Sequence, residues 1–349
     1  NVIIGYVAGP DLTDADFNVA VGVGALFNDH KGNRSTAIGH NALVTQDFTT
    51  STDTYNTAVG YAAGNAVTTG LYNTLLGGTA GDALTTGGSN VAVGVDSLGA
   101  DTLGSRSVAV GMNSLLNQNF TTATNGYNVG VGFGAGQSVT TGVSNTLIGG
   151  LAGDALTDAD YNVAVGFSAL STSQLGSRST AIGHEALKFE NPATATDMYN
   201  TAVGFNAGNV VTTGTLNTLI GGLAGDALTD GEANVAIGYG ALGTEDQADA
   251  NVAVGVNALA TQNAGTSEAY NTAVGHNAGR QVTTGTNNTL VGGLAGDALT
   301  TGQENIAMGR NALTADTKGQ KSVALGNGTL QTQNFTTAVS YTHLTLPTI

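Results

Sequence analysis

The sequence predicts an all-β solenoid, a stack of short-stranded coils. Three observations predict it: a pentapeptide recurring in register, a coil length near 17 residues, and apolar residues spaced two apart. The pentapeptide is Asn or Ser, then Val, Thr or Ile, then usually Ala or Leu, then a large aliphatic, then Gly. It occurs nineteen times, with its glycine at 5, 22, 39, 60, 77, 94, 111, 132, 149, 166, 183, 204, 221, 238, 255, 275, 292, 309 and 326. The spacings run 17, 17, 17, 21, with a single 20 before Gly275, so four coils make a super-repeat of 72 residues, 71 at the last insertion. Such a period is too short for a helical hairpin repeat.

Each place in the coil carries its own requirement. Residues one and three before the glycine, such as Thr57 and Val59, are β-branched or aliphatic and lie on one face of a short strand. The glycine (Gly60, Gly77, Gly94, Gly111 in one super-repeat) ends that strand. Three residues later comes Ala in sixteen of nineteen coils, followed by Gly or Leu in a fixed Gly, Gly, Leu, Leu order, which implies a tight interior or a close neighbouring chain. Four residues before the glycine stands Asn fifteen times and Ser four times: Asn56, Asn73, Asn90 and Ser107 in that super-repeat. Stacked at a turn, these side chains can bond the backbone and their own image in the next coil, a structural ladder; a sugar-binding asparagine row is the sharper alternative. At one strand spacing per coil, about 4.8 Å, nineteen coils would make a rod on the order of 90 Å, held by nearest-neighbour terms.

The extra residues of the 21- and 20-residue spacings fall in one coil type and map to loops on one side, often the binding side of a solenoid. Each loop sets a tyrosine just before the ladder Asn: Tyr55, Tyr127, Tyr199 and Tyr270. Packing the loop onto the coils is the plain role for them, and contact with a glycan the sharper one.

Composition excludes several functions. With 53 Gly, 3 Pro and no Trp, large aromatic-centred cores are not expected, yet 41% hydrophobic and 10% charged residues are too apolar for a disordered chain. The net charge of −16 disfavours nucleic acid and anionic membrane surfaces as partners. Absence of cysteine removes thiol chemistry and suits an extracellular or virion setting. No apolar run approaches a membrane span, and Asn1 opens inside a repeat, so a segment of a longer chain is expected.

No chemistry stands out of the repeat. Asp82, Asp154, Asp226 and Asp297, in turns such as GGLAGDALTD, lie four coils apart, too far to share calcium, and read as turn caps. Arg34, Arg106, Arg178 and Lys321 recur at one place, with Ala250 breaking the series; an ion pair to a nearby Asp is the plain reading and an anionic-ligand row the other. His40 and His184 share their place with Met112, Val256 and Asn327, a pattern for surface positions rather than metal ligands. No Ser-His-Asp set or phosphate-cradling glycine loop can be picked out, so neither enzymatic activity nor a cofactor is expected.

Motifs such as STAIGHNAL, NTAVGYAAG and SVAVGMNSL resemble the head repeats of YadA-like trimeric autotransporter adhesins. Units with TTG turns, NAVTTGLYNTLLGG and SVTTGVSNTLIGG, are more similar still to the repeats of bacteriophage tail fibres. The resemblance implies a left-handed parallel β-roll in each chain and an intertwined homotrimer. The expected function is the shaft of a tail fibre, supporting attachment to a host receptor, in the virion or otherwise extracellular. A bacterial surface adhesin and a self-stacking extracellular filament are the alternatives. Expected partners are further copies of the chain and a cell-surface glycan or protein receptor. The repeat is expected over 1–338, and residues 339–349, which break the pattern, read as a non-repeat tail resembling translated adaptor sequence.

Overall fold

A computed structural model describes residues 1–265 and 268–340. All regular structure among them is β, in strands of two or three residues, and the chain divides into two compact units, Asn1–Ser177 and Arg178–Ile349. It is a parallel β-solenoid of about nineteen turns. Most of the tail expected to lie outside the repeat, 341–349, falls outside the described residues. Val339–Ser340 pairs in parallel with Gly319–Gln320.

In the first unit ten three-residue strands, from Val2–Ile4 to Val163–Val165, stack in parallel and in register, one per coil. Val91 faces Val108, and Val108 faces Val129, so the 17- and 21-residue coils arrive at the same register. The second unit does the same with nine strands, from Thr180–Ile182 to Val323–Leu325. The extra loop residues are absorbed by a second short pairing, Gly32–Asn33 with Thr52–Asp53 and Gly104–Ser105 with Thr124–Asn125.

Within each strand the middle residue points inward. Ala58, Leu75, Ala92 and Ala109 are fully buried, whereas the β-branched pair around each of them, such as Thr57 and Val59, is half-buried. The face shared by that pair is therefore the outer one. The interior is filled by the middle residue, usually Ala or Leu, the Ala three after the glycine, and the Gly or Leu beyond it.

Volume matching explains the order of those last residues. A Cβ on Gly64 would come within 2.7 Å of the Leu75 side chain, and one on Gly81 within 2.8 Å. Leu75 thus occupies the space that two glycines leave, in its own coil and the one before. Leu147 lies in the same way between Gly136 and Gly153, and Leu219 between Gly208 and Gly225. The Ala58 coil keeps Gly64 at the later position because Leu75 of the next coil fills that space, whereas the coils centred on Ala92 and Ala109 carry Leu98 and Leu115 there. Those leucines sit at φ of 53° and 48°. Left-handed backbone costs a non-glycine residue roughly 1 kcal/mol, which full burial of a leucine, about 2 kcal/mol, offsets.

The corner glycine is required by both space and conformation. Gly77 has φ of 145°, and a Cβ there would overlap the carbonyl oxygen of Gly94 in the next coil. Coils can approach to strand spacing at this corner only if Gly77 carries no side chain, and Gly94 is held to the same condition by Gly111 in the coil after it.

Candidate functional site

The asparagine ladder is an interior feature. Asn56, Asn73 and Asn90 are fully buried. The amide of Asn73 donates to the Gly87 carbonyl at 2.9 Å, its side-chain oxygen accepts the backbone N–H of Asn90 at 3.0 Å, and its own N–H donates to Asn56 Oδ1 at 2.9 Å. Asn90 repeats the pattern, passing on to Ser107. In the second unit Asn217 and Asn234 continue it, each N–H donating to the preceding Asn. These asparagine rungs satisfy backbone groups that have no access to water, and their burial leaves no route for a sugar to reach them.

Serine interrupts the ladder at Ser35, Ser107, Ser179 and Ser322, with Asn251 at the equivalent place of the fourth super-repeat, and beside Ser35 and Ser107 a buried glutamine fills the vacated space. Gln118 donates to Ser107 Oγ at 3.1 Å and to Asp101 Oδ2 at 2.6 Å, while its oxygen accepts from Asn128 at 2.9 Å. Gln46 forms the same bridge among Ser35, Asp29 and Asn56. Burial pushes the Asp29 and Asp101 carboxyls above their ordinary range, an effect reduced by the bonds from Gln46 and Gln118 and by backbone N–H groups. In the third super-repeat Ser173 stands where the others have an acid, and Glu190 where they have Gln. Every super-repeat therefore keeps one carboxyl in this pair of places: Asp29, Asp101, Glu190, Glu245 and Asp316. Glu190 is fully buried and accepts from Ser179 Oγ and Asn200 Nδ2, each at 2.9 Å. Burial raises its pKa to about 7 despite those two bonds. The spacing of 17 from Asp29 to Gln46, repeated at Asp101 and Gln118, is the sequence signal for this cluster.

The surface is organised in columns. The residue just before each ladder position has left-handed backbone, φ 51° at Tyr55, 62° at Tyr72 and 63° at Arg106, which turns its side chain out of the coil. Tyr55, Tyr127, Tyr199 and Tyr270 all belong to this column and are half-exposed. They are not brought together, since four coils separate each from the next. Instead each meets its neighbours in the column. The Arg34 guanidinium lies 5.0 Å from the centre of Phe17 and 5.6 Å from that of Tyr55, and Tyr55 stacks on Tyr72 at 5.8 Å. Arg106 lies 5.7 Å from Tyr127 and donates to its hydroxyl at 2.6 Å. Arg178 lies 5.8 Å from Tyr199. Where Ala250 replaces the cation, Tyr270 donates to Glu268 at 2.5 Å, and this bond raises the phenol pKa. Phe17, Tyr72 and Tyr161 extend the column into coils without a loop, and the signal was their shared place before Asn18, Asn73 and Asn162.

Loop residues reach this column through the second strand pairing. Asp53 meets Arg34 at 3.1 Å and Asp197 meets Arg178 at 2.9 Å, while Lys321 lies 4.0 Å from Glu304. Asn125 takes the aspartate's place beside Arg106. A second exposed column follows the corner glycines, where His40 stacks on Tyr61 and His184 on Phe205, each at 5.4 Å. Asp82, Asp154, Asp226 and Asp297 are half-buried with carboxyls raised mainly by burial, and Asp154 Oδ1 and Asp297 Oδ1 find no hydrogen-bond partner among the described residues. Among the described residues no group of three or more acidic or histidine side chains is placed to hold a metal ion, and no helix is long and apolar enough to cross a membrane. No family model, curated protein or solved structure matches the chain.

Proposed function

We propose that this chain forms the shaft of an extracellular fibre of the bacteriophage tail-fibre kind, assembled as a homotrimer, with a mechanical and presenting role rather than a catalytic one. The observation that carries the reading is the uniform coil. Each coil of a unit is bonded to its neighbours by in-register strands and a buried ladder, so stability is local and length can be added without a new core. The outer face supplies the support for self-association. Ile148, Ile182, Ile220 and Val274 are exposed on the strands, and Tyr61, Phe133, Phe167, Phe205 and Tyr239 are exposed beyond the corner glycines. Apolar columns at strand pitch match another copy of the same chain position by position, because both share one spacing. The resemblance to tail-fibre and YadA-like repeats points the same way.

The test is the mass of the purified chain by light scattering together with negative-stain electron microscopy. Three times the 34.5 kDa chain mass and elongated particles are expected. A monomer would remove the homotrimer, and compact round particles would remove the shaft.

A further inference from the structure

The flat side chains of the outward column form a stack with one rung missing. Phe17, Arg34, Tyr55 and Tyr72 follow one another in successive coils, with separations of 5.0, 5.6 and 5.8 Å. The next place holds Ser89, and the stack resumes with Arg106 on Tyr127 at 5.7 Å. Two coil spacings, about 9.6 Å, therefore separate the levels of Tyr72 and Arg106, room for one further ring at rung spacing. A surface depression of about 290 Å³ lies there, lined by Thr69, Tyr72, Ser89, Ser105, Arg106 and Asn125 among others.

Charge singles out the same place. Arg34 and Arg178 are neutralised by Asp53 and Asp197. At the equivalent position beside Arg106 the loop supplies Asn125, and among the described residues no carboxylate pairs with Arg106. Tyr127 holds the guanidinium by one bond at 2.6 Å. Of the cations in this column, Arg34, Arg178 and Lys321 each have a carboxylate partner, and Arg106, beside an aromatic ring and four small polar side chains, is the exception among the described residues.

We propose that this depression binds a pyranose carrying a carboxylate, with the sugar ring in the missing rung against Tyr72 and the carboxylate on Arg106. An aromatic face suits the C–H face of a pyranose. The hydroxyls of Thr69, Ser89 and Ser105 and the amide of Asn125 can exchange hydrogen bonds with ring hydroxyls, and a guanidinium matches a carboxylate in two-pronged geometry. Small size and an open wall set the affinity for a single sugar on the order of 1 mM. The site needs only the stacked coils around it, so its failure would leave the shaft assignment standing, and a wrong shaft assignment would not alter the binding measurement.

The experiment is saturation-transfer NMR on the full chain with D-glucuronic acid, D-glucose and acetate as probes. Glucuronate is expected to bind, glucose roughly tenfold more weakly or worse, and acetate not measurably. Two variants borrow residues that the protein carries at equivalent places. Ser89→Tyr fills the rung; Tyr72 already has φ of 62° where Ser89 has 61°, so the backbone accepts it. Asn125→Asp supplies the partner that Asp53 gives Arg34. Both should keep the wild-type circular dichroism spectrum; Ser89→Tyr should abolish glucuronate binding, and Asn125→Asp should weaken it roughly tenfold. Undiminished binding by a folded Ser89→Tyr, acetate binding equal to glucuronate, or no binding of glucuronate to the wild type at 10-fold above the expected constant would each overturn the proposal.

Discussion

Replacing Glu190 by Gln should change how stability depends on pH. At low pH Glu190 is protonated in the folded and unfolded chain alike and costs nothing. Above its unfolded value, 4.5, the unfolded chain loses the proton while the buried carboxyl keeps it, up to about 7. Over that window the folded state binds more protons, so stability falls with rising pH and levels off above about 7. At about 1.4 kcal/mol per pH unit the loss sums to about 3 kcal/mol. Glutamine is the residue the other super-repeats carry at this place, as Gln46, Gln118, Gln262 and Gln333, and it can keep the bonds to Ser179 and Asn200. Urea unfolding of both proteins from pH 4 to pH 8 gives the comparison, and the difference between them cancels the other titrating groups. Glu190→Gln should gain about 3 kcal/mol over wild type between pH 4.5 and pH 7. Parallel curves for the two proteins across that range would refute the reasoning.

Two further substitutions probe the stacking. Asn73→Ala strands the buried Asn90 N–H and Gly87 carbonyl, at roughly 1 to 3 kcal/mol each. The loss should show as faster hydrogen exchange at Asn90 and its neighbours, read locally because repeat arrays need not unfold in one step; a change under about 0.5 kcal/mol would contradict the ladder's role. Gly77→Ala places a methyl on the Gly94 carbonyl at a φ few side chains adopt, so a loss of about 3 kcal/mol or more is expected; an unchanged thermal midpoint by circular dichroism would contradict the close approach at that corner.

The solenoid was legible because its determinants repeat. A glycine every 17 or 21 residues, an Asn four before it and a spacing of two in between are each forced by contact with the same position one coil away, so the period carries the fold. What the period does not carry is direction. Thr57 and Val59 share a face, but only the structure places it outside, with Ala58 fully buried in the interior that also holds Leu43 and Leu75. The alternation of Gly and Leu was visible and its cause was not, since Leu75 meets Gly64 from the coil before as well as Gly81 from its own. The buried acid of each super-repeat was missed for a related reason. Asp101 and Gln118 are 17 residues apart in sequence and 2.6 Å apart in space. Read singly, either looks like an ordinary polar residue of a turn.

Constancy inside and variation outside have one physical source. A buried place such as that of Asn73 or Gly77 touches its equivalents in both adjoining coils, so a change there is felt in three coils together. The outward column meets its neighbours only through exposed ring faces and ion pairs, interactions worth roughly 0.5 to 1 kcal/mol each. Tyr72, Ser89 and Arg106 can therefore follow one another at nearly identical φ, 62°, 61° and 63°, without disturbing the coils that carry them. Deviation from the repeat is cheap at this column and costly at the ladder, so a departure here is open to selection for binding, while a departure at the ladder must first be compensated in the core, as Gln118 compensates for Ser107. On that argument the exchange of Asp for Asn125 beside an unpaired Arg106 matters more for recognition than any of the invariant residues that define the coil.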